Sequence, residues 1–262
     1  MIKPIIDTHI HLDLYKKEER NEILQSMKQY KIDGLISVSQ HFYSAQKNLD
    51  FSDKYDRIFP AFGFHPEQPL PNEEELDKLI QFIQEQHTKM IAVGEVGLPY
   101  YSRKKDKSIK LEEYIELLER FIILAKQLEK PIILHAVYED APIVCSLLEK
   151  YSIEKAHFHW FKGDTKTMER MIDSGYFVSV TPDVLYKSEI QRLVVEYPLS
   201  QLMVETDGPW PFEDVFKDQV THPKMIHESI NAIANIKYMD KNTVYEKVYR
   251  NTMEFYGLGT GE

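Results

Sequence analysis

The chain has 262 residues, 43% of them hydrophobic, which is enough for one large domain with a substantial core. Its net charge of −10 argues against broad electrostatic adhesion to nucleic acid or to an anionic membrane, although bound divalent ions would supply positive charge locally. No apolar run approaches the ~18 residues of a membrane span, the first residues read as lacking a secretory signal, and one cysteine, Cys145, cannot make an internal disulfide, so the cytoplasm is the expected location.

Short apolar runs alternate with longer amphipathic segments. The runs read as strands at Ile5–Thr8, Gly34–Ser39, Ile58–Phe64, Met90–Glu95, Pro131–His135, Lys155–Trp160, Tyr176–Val180 and Leu202–Thr206. Helices are predicted at 18–30, 73–86, 109–130, 141–151, 165–173, 189–197, 223–236 and 242–256. The clearest is 109–130, whose Ile115, Leu118, Phe121, Ile122 and Ala125 recur at helical spacing. Cys145 lies within 141–151 and reads as a small buried hydrophobe. Strand–helix alternation implies parallel strands joined by right-handed crossovers, and eight such units fit a (β/α)8 barrel. The first strand is not followed by the glycine fingerprint of a dinucleotide-binding sheet. With no repeat or linker, residues 1–262 are expected to form a single domain.

Metal-type side chains gather where the chain leaves the strands. His9 and His11 alternate onto one face of the first strand, and His65 closes the third. Glu95 closes the fourth, His135 the fifth, His159 the sixth and Asp207 the eighth. In a parallel barrel these ends converge on one mouth, where barrel active sites lie. One His-x-His pair is weak evidence by itself. Seven ligand-type residues abutting apolar strands are not, because buried charges are costly unless paired or metal-bound. His9, His11, Glu95, His135, His159 and Asp207 suffice for two divalent ions, with Glu95 as bridge and Asp207 as base.

These pieces resemble the TatD family of metal-dependent deoxyribonucleases, in the amidohydrolase superfamily. The likeness runs through Asp7-Thr8-His9-Ile10-His11-Leu12, Gly63-Phe64-His65-Pro66, Gly94-Glu95-Val96-Gly97-Leu98 and His135. It continues through His159-Trp160-Phe161-Lys162-Gly163 and Glu205-Thr206-Asp207-Gly208-Pro209 to Asn251–Leu258. It implies a barrel hydrolase cleaving DNA by a metal-activated hydroxide, with those six residues as ligands and His65 touching substrate phosphate. Zinc, manganese and magnesium are all candidate ions. Nothing points to a membrane or to an obligate protein partner.

Two positions depart from the family pattern. Pro99 stands where an acidic residue is usual, and Val137 where an arginine is usual. An arginine at the second position would clamp phosphate. Its loss, with the acidic charge, favours an alternative: hydrolysis of a small ester, lactone, amide or phosphoester. A metal-binding scaffold without turnover is a third reading, opposed by the complete ligand set. Replacement cations are Arg103, Lys104, Lys105 and Lys107, behind Tyr100 and Tyr101, and Lys162. Each of these is equally readable as solvated loop. His157 is expected as a core histidine, and His41, His87 and His227 as surface or helix residues. His222 and Trp210 lie near the mouth.

Overall fold

A computed structural model describes residues 2–259; residue 1 and residues 260–262, the ends of the expected domain, lie outside the described residues. All eight strands form: β1 Ile5–Ile10, β2 Ile32–Val38, β3 Ile58–Phe62, β4 Ala92–Gly97, β5 Ile132–His135, β6 Ala156–Phe158, β7 Phe177–Val180 and β8 Leu202–Val204. They pair in sequence order, every pair parallel. The seam between β8 and β1 is drawn together just past the last strand. There Asp207 N donates to His9 O at 2.8 Å, and His11 N donates to Gly208 O at 2.8 Å. The result is a nearly closed (β/α)8 barrel.

Around it run α1 Lys17–Ser26, α2 Phe42–Ser52, α3 Glu73–Glu85, α4 Tyr100–Lys105, α5 Leu111–Gln127, α6 Ala141–Lys150, α7 Thr165–Asp173, α8 Ser188–Glu196, α9 Ile226–Ile236 and α10 Lys241–Tyr256. Local chemistry sets many of their ends. Asn72 and Glu75 close a reciprocal capping box on α3, and Asp164 and Asp240 cap α7 and α10. Gly257 ends α10 at φ 66°, a left-handed cap that glycine adopts without strain. The structure adds two helices that the sequence pattern does not predict, α2 and α4. The α2 segment mixes Tyr43, Ser44, Asn48 and Ser52 with its apolar residues, so its amphipathic stripe is faint.

Buried aliphatic and aromatic side chains fill the layer between strands and helices, among them Leu35, Phe62, Phe121, Ile132 and Phe158. Asn251 on α10 is buried and donates to Leu199 O and Leu202 O, at 2.8 and 2.7 Å, tying the last helix to the start of β8. Among the described residues, no helix is long and apolar enough to cross a membrane.

Two breaks in strand register decide what reaches the barrel mouth. Between the pairs Asp7–Leu35 and Ile10–Ser37, β1 carries one residue more than β2, and between Val93–Ile132 and Val96–Leu134, β4 carries one more than β5. Such bulges re-aim side chains. Here they fall at Thr8-His9 and Gly94-Glu95. Gly63 permits the close approach of β3 to the second bulge, because a Cβ there would stand 2.7 Å from the Glu95 carbonyl oxygen.

Candidate metal centre

Glu95 occupies the middle of the site and is fully buried. Its two carboxylate oxygens face different groups. Oε2 lies 3.2 Å from His9 Nε2 and 3.3 Å from His11 Nε2. Oε1 lies 2.7 Å from His159 Nε2, 3.0 Å from His135 Nδ1 and 3.4 Å from His65 Nε2. Asp207 Oδ1 closes the first side, 3.4 Å from both His9 Nε2 and His11 Nε2. All seven residues singled out at the strand ends are therefore gathered at one place.

His135 Nδ1 is hydrogen-bonded to Glu95 Oε1 at 3.0 Å, but the donors on the side of His9, His11 and Asp207 do not satisfy one another as hydrogen bonds. Both ring nitrogens of His9 and of His11, Oε2 of Glu95 and Oδ1 of Asp207 are buried without a hydrogen-bond partner. Buried polar atoms in that condition are costly. The sets His9–His159–Asp207, His9–His11–Glu95 and His65–Glu95–His135 each bring their ligand atoms within 4.8 Å of one another. Imidazole and carboxylate donors so arranged suit a divalent transition ion. The residues fit a metal.

The electrostatics of the cluster follow from burial opposed by pairing. Burial raises Glu95, but the surrounding imidazoles outweigh it and hold the carboxyl well below its ordinary range. Burial lowers His11, yet Asp207 and Glu95 lift it to about 10. Burial dominates at His65 and pushes it down to about 3. His65 is thereby kept neutral, and its Nδ1 accepts the Glu67 backbone N–H at 3.1 Å, so its proton sits on Nε2, toward the cluster.

Sequence reasoning missed several supporting residues. Glu67 Oε1 lies 3.2 Å from His135 Nε2, and the carboxylate accepts Tyr101 N–H at 2.8 Å and Ser102 N–H at 2.6 Å. Although burial opposes it, these donors hold Glu67 down at about 2. Its position just past Gly63-Phe64-His65-Pro66 was the available signal, but a loop residue shows no periodicity. Glu205 stands under His159, 3.7 Å from Nδ1, and accepts Trp160 N–H at 2.8 Å. Asp7 is no ligand: its carboxylate accepts Thr206 N–H at 2.9 Å and pins β1 to β8.

The remaining histidines sort by partner. His157 is buried between Tyr256 OH at 2.7 Å and Ser179 Oγ at 2.5 Å, as a core histidine. His41 caps α2, and His87 is half-buried with its Nδ1 2.8 Å from Gln84 O. His227 is on a helix but buried rather than at the surface, between Tyr245 OH and Tyr30 O. His222 turns away from the mouth to Ser26 Oγ at 2.9 Å.

Above the cluster opens a cavity of about 750 Å³, lined by His65, His135, His159 and Asp207, with Trp160, Trp210, Tyr101 and Tyr138 as aromatic wall. Of the basic residues expected there, Arg103 is committed to a buried ion pair with Asp140. Lys104 pairs with Glu139 at 3.4 Å and lies over the Tyr100 ring. Lys107 lines a separate small cavity. Lys105 and Lys162 do line the main one, with Lys187, which the sequence did not single out.

Comparison with known proteins agrees with this geometry. The family model described as TatD-related DNase matches residues 6–257. An uncharacterized metal-dependent hydrolase of Haemophilus influenzae is 39% identical over 255 residues, covering 97% of this chain and all of that protein. The human deoxyribonuclease TATDN3 is 28% identical, covering 96% of this chain and 94% of its own length. The crystal structure of YJJV, a TatD homolog from Escherichia coli, superposes with a TM-score of 0.87 at 22% identity, covering 97% of this chain and 98% of the other.

Proposed function

We propose, from the premise that this chain belongs to the TatD-related DNase family of metal-dependent hydrolases, that it hydrolyses phosphodiester bonds of DNA with two divalent ions shared by Glu95. The observation that carries the two-ion reading is the division of the Glu95 carboxylate. Oε2 serves the side of His9, His11 and Asp207, and Oε1 the side of His135 and His159. Zinc or manganese suits so many imidazoles better than magnesium, which prefers oxygen donors. Divalent ions held there supply Lewis acidity for a phosphoryl oxygen and acidify water to near neutrality.

The chain's own groups do the positioning. Asp207 Oδ1, aimed between His9 and His11, receives the proton of the attacking water. His65, neutral and protonated on Nε2, donates a hydrogen bond to a phosphoryl oxygen as charge develops on it. Glu67 holds His135 by its Nε2, which leaves Nδ1 aimed inward. The aromatic wall offers faces on which a base can stack, and the cytoplasm is the proposed site of action.

The test is metal-stripped protein reloaded with zinc, manganese or magnesium and assayed on labelled single-stranded DNA beside an ester, lactone and phosphodiester panel. Metal-dependent DNA cleavage that disappears in Asp207→Asn is the expected result. Turnover of an ester or lactone with no action on DNA would overturn the substrate and leave the hydrolase.

A further inference from the structure

Lys162 is buried in the wall of the metal-site cavity, with only 8% of its surface exposed. Its ammonium lies 4.1 Å from the centre of the Trp160 ring, with two long hydrogen bonds at 3.4 Å, to Tyr101 OH and Trp160 O. Among the described residues no carboxylate stands within ion-pair distance of it. The acid nearest in role, Asp183, is already engaged by Lys187 at 3.0 Å and by the Trp160 indole N–H at 3.0 Å. Lys104 and Arg103 have their own acids, and Lys105 is exposed. Lys162 is thus the buried cation of this cavity with no carboxylate in ion-pair contact, Asp183, Asp207 and Glu189 acting on it only from longer range. Such a group is expensive to keep. Burial pushes it down to about 8, in keeping with an ammonium that lacks a partner.

We propose that Lys162 binds an anionic oxygen of a nucleoside phosphate, which supplies the missing counter-charge, while Trp160 and Tyr101 flank the bound group. This rests on the reading of the neighbouring cluster as a phosphodiesterase site, and it adds the residue that selects an anionic substrate. The cavity, at about 750 Å³, falls within the range of ligand pockets and has room for a nucleotide. An ammonium on an aromatic face still has donors free for oxygen, and a phosphate oxygen makes a charge-assisted bond with it. A neutral ester would leave the charge unmet.

Both tryptophans of the chain, Trp160 and Trp210, line this cavity, so intrinsic fluorescence reports its occupancy directly. The experiment titrates thymidine 5′-monophosphate, inorganic phosphate, acetate and thymidine into metal-loaded and metal-stripped wild type, Lys162→Gln and Lys162→Arg. The expected result in Lys162→Gln is at least tenfold weaker binding of both phosphates, with thymidine unchanged, no loss of thermal stability, and partial recovery in Lys162→Arg. Equal phosphate affinity in Lys162→Gln would overturn the proposal. So would a lowered melting temperature with thymidine and phosphate weakened alike, the pattern of a lysine that only props Trp160. Acetate binding that tracks phosphate through all three proteins would overturn the choice of phosphate. The readout needs no turnover: phosphate binding lost in Lys162→Gln, in an enzyme inert on DNA, would sustain Lys162 and refute the DNase reading. DNA cleavage with KM unchanged in Lys162→Gln would do the reverse.

Discussion

Glu67 offers the sharpest test of how the site is held together. Its carboxylate accepts three donors: His135 Nε2 at 3.2 Å and the backbone N–H groups of Tyr101 and Ser102 at 2.8 and 2.6 Å. Glu67→Gln keeps the shape but removes the charge, and an amide has one acceptor oxygen where three donors converge. With the amide oxygen in the Oε1 position, His135 and Tyr101 keep only neutral hydrogen bonds and Ser102 N–H faces the amide NH2, so the charge-assisted bond that fixes the His135 proton on Nε2 and frees Nδ1 for a metal is weakened. A hydrogen bond to a charged group contributes roughly 1.5–3 kcal/mol. Loss of an outer-shell carboxylate typically weakens metal affinity about 10–100-fold, and each factor of ten is about 1.4 kcal/mol, so the two scales agree. Competition between the protein and a chromogenic chelator measures that affinity, with thermal melting alongside to follow α4, which loses an N–H acceptor. We expect metal affinity to fall at least tenfold with a small loss of stability. Affinity within twofold of wild type would refute the argument that Glu67 orients His135.

Three further outcomes follow from contacts outside the cluster. Asn251→Ala removes both bonds that tie α10 to Leu199 O and Leu202 O, and should cost about 3 kcal/mol in urea unfolding, since two carbonyls are left with poor partners. His222 is pushed down by burial to about 4 from an ordinary 6.5, so the fold favours its neutral form. The resulting stability is complete above pH 6.5 and is lost as pH falls toward 4, by about 3 kcal/mol, and His222→Gln should flatten that part of the stability–pH curve relative to wild type. If DNA is the substrate, Lys105→Ala should reduce the salt slope of DNA binding by about one, whereas Lys104→Ala, already paired with Glu139, should leave it unchanged. Equal slopes in the two variants would show that ion pairing at α4 does not govern the groove.

The barrel was legible because its strands are nearly pure apolar runs, buried on both faces, and because each is followed by an amphipathic segment. The first helix after β2 was not, since Ser44 and Asn48 are buried there as hydrogen-bonding residues and break the apolar stripe. Asn48 bonds Ser37 Oγ and Val38 O, so polar burial took the place of hydrophobic periodicity. At the site, His9, His11, His65, Glu95, His135, His159 and Asp207 could be placed because strand ends of a parallel barrel must meet. Which oxygen of Glu95 faces which imidazole depends on the two bulges, and a one-residue irregularity leaves no mark in composition or spacing.

The basic residues show the opposite limit. Arg103, Lys104, Lys105 and Lys107 look alike as a run, yet tertiary contacts divide them: Asp140 neutralises the first and Glu139 the second. Val137 puts an apolar side chain in the cavity wall beside His135, so an anion cannot be held from that position. Positive charge reaches the cavity instead from the loop after β6, the N-cap of α8 and α4, through Lys162, Lys187 and Lys105, and of these only Lys162 is buried with no carboxylate in ion-pair contact. A chain carrying net charge −10 can therefore present an anion site without a basic surface. Association with a polyanion should be correspondingly slow and weakly steered, and selectivity should depend on the one buried ammonium rather than on the field of the whole protein.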